Sequence, residues 1–190
     1  MIRQLERLGR QNTRLLMVAV LFAAAVVLGV QTPAFAASPD GYWGQLMSRN
    51  SDPRYPKCLT TQGDAGLSVY QDYCTNDSWK LWHLKPVGGG YYNVVSDWDG
   101  HCLDVYAFNH DNYGLVTTWP CKGYTNQQWS LGMSSSGFTL KPRHARYDNG
   151  GAGKCLDVFA FSHNNGAPVV QWDCNGAINQ FWSYDGVWET

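Results

Sequence analysis

The segment CLDVYAFNHDNYGLVTTWPCKGYTNQQW at 102–129 recurs as CLDVFAFSHNNGAPVVQWDCNGAINQFW at 155–182. The two align without a gap and agree at fifteen of their twenty-eight positions. A weaker copy, CLTTQGDAGLSVYQDYCTNDSWKLW, occupies 58–82. All three begin Cys-Leu, and each places a tryptophan eight residues after its second cysteine: Trp82, Trp129 and Trp182. A fixed-period repeat constrains architecture more than local propensity does, because a unit too small to bury its own apolar face must bury it against its copies.

The repeat also pairs the cysteines. Cys102 and Cys121 lie nineteen apart, as do Cys155 and Cys174 at the matching places, which leaves Cys58 with Cys74, sixteen apart. Three disulfides within units are expected, each contributing on the order of 3 kcal/mol by closing its loop. The compartment agrees. Arg3, Arg7, Arg10 and Arg14 precede an uncharged apolar run from Leu15 to Val30, and Ala34 and Ala36 then frame a small-residue cleavage site. This order describes a secretory signal peptide over 1–36, bacterial in style and cut after Ala36. Its sixteen apolar residues fall short of the roughly 20 that span a bilayer, so no stable membrane insertion is expected after cleavage. Beyond it stand ten Lys and Arg against fourteen Asp and Glu, a net charge of −4. No basic patch calls for nucleic acid, and Arg143 to Arg146 reads as a solvated loop.

Residues 37–190 suffice for one domain. Short runs such as CLDVYAF, VVQW and GFTL alternate with Gly, Asn, Asp and Pro turns, and nothing after residue 40 shows sustained helical periodicity. The chain is therefore expected to be all-β. Threefold β repeats of this length build a trefoil, a propeller or a solenoid. Three units are few for a propeller, which favours a β-trefoil with units near 42–84, 85–131 and 132–186.

Cys-Leu-Asp-Val, a following Trp-x-Cys and a closing Gln-x-Trp together resemble the ricin B-chain-type lectin family, also called carbohydrate-binding module family 13. The closing motif stands as Gln127-Gln128-Trp129 and Gln180-Phe181-Trp182, and decays to Lys80-Leu81-Trp82 in the first unit. The resemblance covers nearly all of 42–186. It implies twelve strands and up to one sugar site per unit.

Spacing suggests where those sites lie. Side chains alternate along a strand, so Leu103 and Val105 face the core while Cys102 and Asp104 share the outer face. If the disulfide joins directly opposed residues of two antiparallel strands, Asp104 faces Trp119, and by the same rule Asp157 faces Trp172. A carboxylate beside an aromatic suits a pyranose: one accepts from neighbouring hydroxyls and the other covers the apolar C–H face. Asn126 and Asn179 are expected to offer an amide that both donates and accepts. The resemblance implies that they complete the pocket, with Gln127 and Gln180 bracing it and Trp129 and Trp182 buried. Thr117 and Val170 stand where many members carry a hydrogen-bonding side chain, which makes the second unit the better site and leaves the third only the backbone of Val170. Lys122 and Asn175 flank the pockets. Phe108, His110, Phe161 and His163 read as loop packing. The first unit has Thr60 for the aspartate, Asp72 for the aromatic and Trp79-Lys80 for Asn-Gln, so it is expected to carry no sugar site.

These features lead to a secreted, monomeric lectin without catalysis, cofactor or metal, recognising a glycan or polysaccharide of galactose or xylose type. Glycoside hydrolysis generally uses two carboxylates around one bond, yet Glu189 is the single Glu after residue 36. No Gly-x-Ser-x-Gly elbow is present, and the cysteines are committed to disulfides. The alternatives are a trefoil that binds protein, as an inhibitor or toxin-like subunit, and an accessory module working beside a glycoside hydrolase.

Overall fold

Each unit supplies four short strands. The first contains β1 (Gly44–Ser48), β2 (Lys57–Thr60), β3 (Tyr70–Tyr73) and β4 (Leu81–Gly88). The second contains β5 (Tyr91–Ser96), β6 (Cys102–Val105), β7 (Gly114–Trp119) and β8 (Gln128–Ser134). The third contains β9 (Gly137–Pro142), β10 (Lys154–Val158), β11 (Ala167–Asp173) and β12 (Trp182–Tyr184). They come from a computed structural model that describes residues 43–186; the signal peptide expected over 1–36 and Glu189 lie outside these residues.

The outer strands of each unit pair in the order β1, β4, β5, β8, β9, β12 and back to β1, always antiparallel. This six-stranded ring closes on itself and so presents no free edge. The inner strands form the hairpins β2–β3, β6–β7 and β10–β11. These hairpins make a second ring, through pairings of β11 with β3 and with β7 and a bridge between Ser68 and Thr117. The architecture is the expected all-β trefoil of twelve strands.

The repeated residues explain why the units must assemble. Leu59, Leu103 and Leu156 are fully buried in one shared core with Val105, Val158, Trp82, Trp129 and Trp182. Each tryptophan is anchored identically: Nε1 of Trp82, Trp129 and Trp182 donates to the carbonyl of Leu59, Leu103 and Leu156, at 2.9, 3.0 and 3.2 Å. The indole fills the centre while its one polar atom is satisfied by the Cys-Leu strand of its own unit. The three expected disulfides, Cys58–Cys74, Cys102–Cys121 and Cys155–Cys174, close the hairpins.

Candidate functional site

The hairpin register differs by two residues from that expected. Asp104 lies opposite Thr117, and Cys102 opposite Trp119. Asp157 lies opposite Val170, and Cys155 opposite Trp172. Cys121 lies beyond the end of β7, after Pro120, so the disulfide reaches diagonally and its cysteines are not a directly opposed pair. A slip of two preserves the face. Asp104, Thr117 and Trp119 therefore still share one surface, with Trp119 one diagonal step from the carboxylate.

That surface is more enclosed than alternation alone suggests. Asp104 and Asp157 are only 6 % and 3 % exposed. The short turn after the second cysteine folds over them and brings an amide with it. Asn126 Nδ2 donates to Asp104 Oδ1 at 3.0 Å and to the Val105 carbonyl at 2.9 Å. Asn179 Nδ2 does the same to Asp157 Oδ1 and the Val158 carbonyl, both at 2.9 Å. Both amide protons are thus committed inside the protein, which corrects the expectation that these asparagines donate to a sugar. Each holds its carboxylate in place, and its own Oδ1 is buried without a protein partner.

The glutamines tie the turn after each second cysteine to the adjoining strand. Gln180 Nε2 donates to Asp157 Oδ2 and to the Asp173 carbonyl, and its Oε1 accepts from the Asn175 amide. Gln127 ties the Pro120 carbonyl to the Lys122 amide in the second unit. Burial pushes the Asp104 and Asp157 carboxyls up to about 6, although the neighbouring amides pull the other way. At neutral pH both are ionised acceptors largely stripped of water, ready to take hydroxyl donors.

In the third unit a cleft of about 270 Å³ opens beside Asp157, with Asn175 and Asn179 at its polar side and half-buried Trp172 as one wall. Phe159, Ala160 and Phe161 form the other wall. Phe161, expected as loop packing, therefore lines this cleft. Ala160 and Phe161 both adopt left-handed backbone at φ 54°, as do Ala107 and Phe108 at 54° and 52°. Two consecutive non-glycine residues in that region are unusual and costly. The effect is to turn Phe108 and Phe161 outward, 42 % and 49 % exposed. Among the described residues, Asp157 is the one carboxylate lining the third cleft. The second unit matches it with Asp104, a Trp119 that is 44 % exposed, and Tyr124 6.0 Å from the Phe108 ring. Thr117 is buried opposite Asp104 with an unpaired hydroxyl.

The first unit has the hairpin without this chemistry. The Thr60 hydroxyl is spent on the Cys58 carbonyl, and Lys80, buried where the other units have glutamine, donates to Thr75 and lies 3.4 Å from Asp72. A hollow of about 380 Å³ remains, lined by Tyr70, Trp79, Trp98 and Gln62 and, among the described residues, by no carboxylate.

Comparison with known proteins agrees with this geometry. The ricin-type β-trefoil lectin domain profile matches residues 91–189, and a related ricin-type lectin-like profile matches 35–119. The chain belongs to the ricin-type β-trefoil lectin family, and its role is carbohydrate binding. Among solved structures it is similar to the designed threefold-symmetric protein ThreeFoil: 30% identity, TM-score 0.69, covering 78% of this chain and all of that one. It is also similar to the exo-β-1,3-galactanase 1,3Gal43A of Clostridium thermocellum: 27% identity, TM-score 0.68, covering 78% of this chain but only 31% of the enzyme. The C-half of an earthworm R-type lectin in complex with GalNAc shares the fold at 15% identity and TM-score 0.56, over 77% of this chain and 99% of that one. No curated protein sequence matches.

Proposed function

We propose that the protein is a secreted, monomeric, non-catalytic lectin that binds pyranose units of a glycan or polysaccharide through two sites. One is built on Asp104 and Trp119, the other on Asp157 and Trp172. The observation that carries this reading is the repeated trio of a desolvated aspartate, an asparagine spending both protons to hold it, and an aromatic one diagonal step away, exposed at Trp119 and half-buried at Trp172. The carboxylate accepts from two neighbouring hydroxyls, and the ring covers the sugar's apolar face. A single carboxylate lining the third cleft favours binding over hydrolysis. Thr117 and Val170, opposite the aspartates, tune the floor of each pocket, and Gln127 and Gln180 fix its wall. Each site is shallow and weak alone, and two on one rigid body gain through effective concentration on a multivalent surface. The galactanase and the GalNAc-bound lectin make galactose-type sugars the first to test, with xylan second.

The test is a glycan and polysaccharide array probed with the oxidised, signal-free domain beside the Asp104→Ala/Asp157→Ala variant. Binding to one sugar class that vanishes in the variant is expected. Equal binding by both would overturn the site assignment, and silence from folded protein would point to a protein partner.

A further inference from the structure

The loops that carry the aromatic walls are not held by their own units. After Phe161 the chain passes β3 of the first unit, where Gln71 Nε2 donates to the carbonyls of Ser162 and Asn164 at 2.8 and 3.0 Å. Buried Lys57 of the same unit reaches Asn165 Oδ1. The second unit's loop is held in the same way by the third. Gln171 Nε2 donates to the carbonyls of Asn109 and Asp111 at 2.6 and 3.1 Å, and Lys154 Nζ to Asn112 Oδ1 at 2.9 Å. Donors and acceptors correspond position for position, counted from each unit's first and second cysteine.

The remaining case breaks the pattern. The second unit should hold the first unit's loop, but it has His101 and Thr118 at the lysine and glutamine positions. His101 lies against Asp99 of its own unit, and the Thr118 hydroxyl lies 3.4 Å from Thr61. The backbone tie is nonetheless threefold: the amides of Gly66, Tyr113 and Gly166 donate to the carbonyls of Thr118, Gln171 and Gln71. Closing the hairpin ring thus needs only the backbone tie. The side-chain ties occur where the loop holds left-handed Ala107–Phe108 or Ala160–Phe161; the first unit has Gly63 at the alanine position, which takes φ 88° without strain.

Building on the two-site reading above, we infer that Gln71 with Lys57, and Gln171 with Lys154, are positioning residues for the sugar site of the neighbouring unit. Each pair holds a strained aromatic loop in its binding shape. The first unit, whatever it has lost as a site, is thereby a working part of the third unit's site. A strained segment persists only when its surroundings over-determine it, and these ties do so here together with bonds to the Ser162 and Asn109 carbonyls from Asn50 and His144 of the same neighbouring units.

The test is a double dissociation. Gln71→Leu keeps volume and removes both donors. It should speed hydrogen exchange at 159–166 but not at 106–113, and weaken β-1,3-galactobiose binding about tenfold, as expected for two lost hydrogen bonds, in an Asp104→Ala background where only the third site remains. In an Asp157→Ala background it should change nothing. Gln171→Leu should give the mirror result. Lys57→Met removes one side-chain tie while leaving the backbone pairing of β2 with β3 in place, and serves if Gln71→Leu does not fold. Equal weakening at both sites, or unchanged exchange and affinity, would overturn the inference. Absence of galactobiose binding by the unsubstituted protein would count against the galactose-type reading, and the exchange pattern would still decide whether the ties position their loops.

Discussion

The first and third units share one strand framework and differ in what they place on it. Both close a hairpin with a disulfide and both bury a tryptophan whose N–H binds the Cys-Leu strand. The third adds Asp157, a buried carboxyl pushed up to about 6 by desolvation. The first has Thr60 there, satisfied by its own strand, and folds the same way. The carboxylate is therefore no requirement of the trefoil. A group that folding disfavours, kept in the second and third units and absent from the first, supports the binding role proposed above.

If the disulfide and tryptophan are the common scaffold, damage to them should not distinguish the units. Cys58→Ala/Cys74→Ala and Cys155→Ala/Cys174→Ala should each cost about 3 kcal/mol, a fall in Tm of roughly 10 °C for a domain of this size. Calorimetry on both variants checks this, and a much larger loss in one unit would break the equivalence. The carboxylate should behave in the opposite way. Asp157→Thr installs the first unit's solution in the third and should leave Tm nearly unchanged. Titration in an Asp104→Ala background should show binding about 100-fold weaker, as two charge-assisted hydrogen bonds are lost.

How far the sequence carries this contrast depends on distance along the chain. Cys58, Cys102 and Cys155 begin recognisable units, so the disulfides follow from spacing, and the strand number and core tryptophans from the family resemblance that the repeated motifs carry. The register did not, because Cys121 sits past Pro120 and its bond is diagonal, a detail no residue count contains. Nor did the burial of Asp104, since alternation says which face a side chain takes and not what later folds over that face. The left-handed Ala160 and Phe161 carry no glycine to announce them. Gln71 reaches carbonyls more than ninety positions away, which only the closed hairpin ring brings near.

Acidity separates the same two roles by sign. Raised folded-state carboxyls hold protons that the unfolded chain has lost between about pH 4 and pH 6, so Asp104 and Asp157 lower stability as pH rises through that window. Binding runs the other way, because a protonated carboxyl accepts fewer hydroxyl donors. Affinity per site should fall about tenfold from pH 7 to pH 5 when a carboxylate titrating near 6 must be ionised. Isothermal titration across that range, alongside thermal melts, checks both slopes. The Asp157→Thr variant should remove the third site's share of each.

The finest distinction lies between the two proposed sites. Thr117 and Val170 occupy the same place, directly opposite the aspartate and almost fully buried. The Thr117 hydroxyl has no partner among the described residues, and an unpaired buried hydroxyl disfavours folding by about 1 kcal/mol or more. A hydroxyl kept under that penalty beside Asp104 is best accounted for by an interaction that forms when sugar enters. Val170→Thr in an Asp104→Ala background should therefore lower Tm by a few degrees and tighten sugar binding about threefold, a small gain of the size expected for one neutral hydrogen bond. Binding left unchanged with the same loss of Tm would show that position 170 only packs, and that the second and third sites differ in their aromatic walls alone.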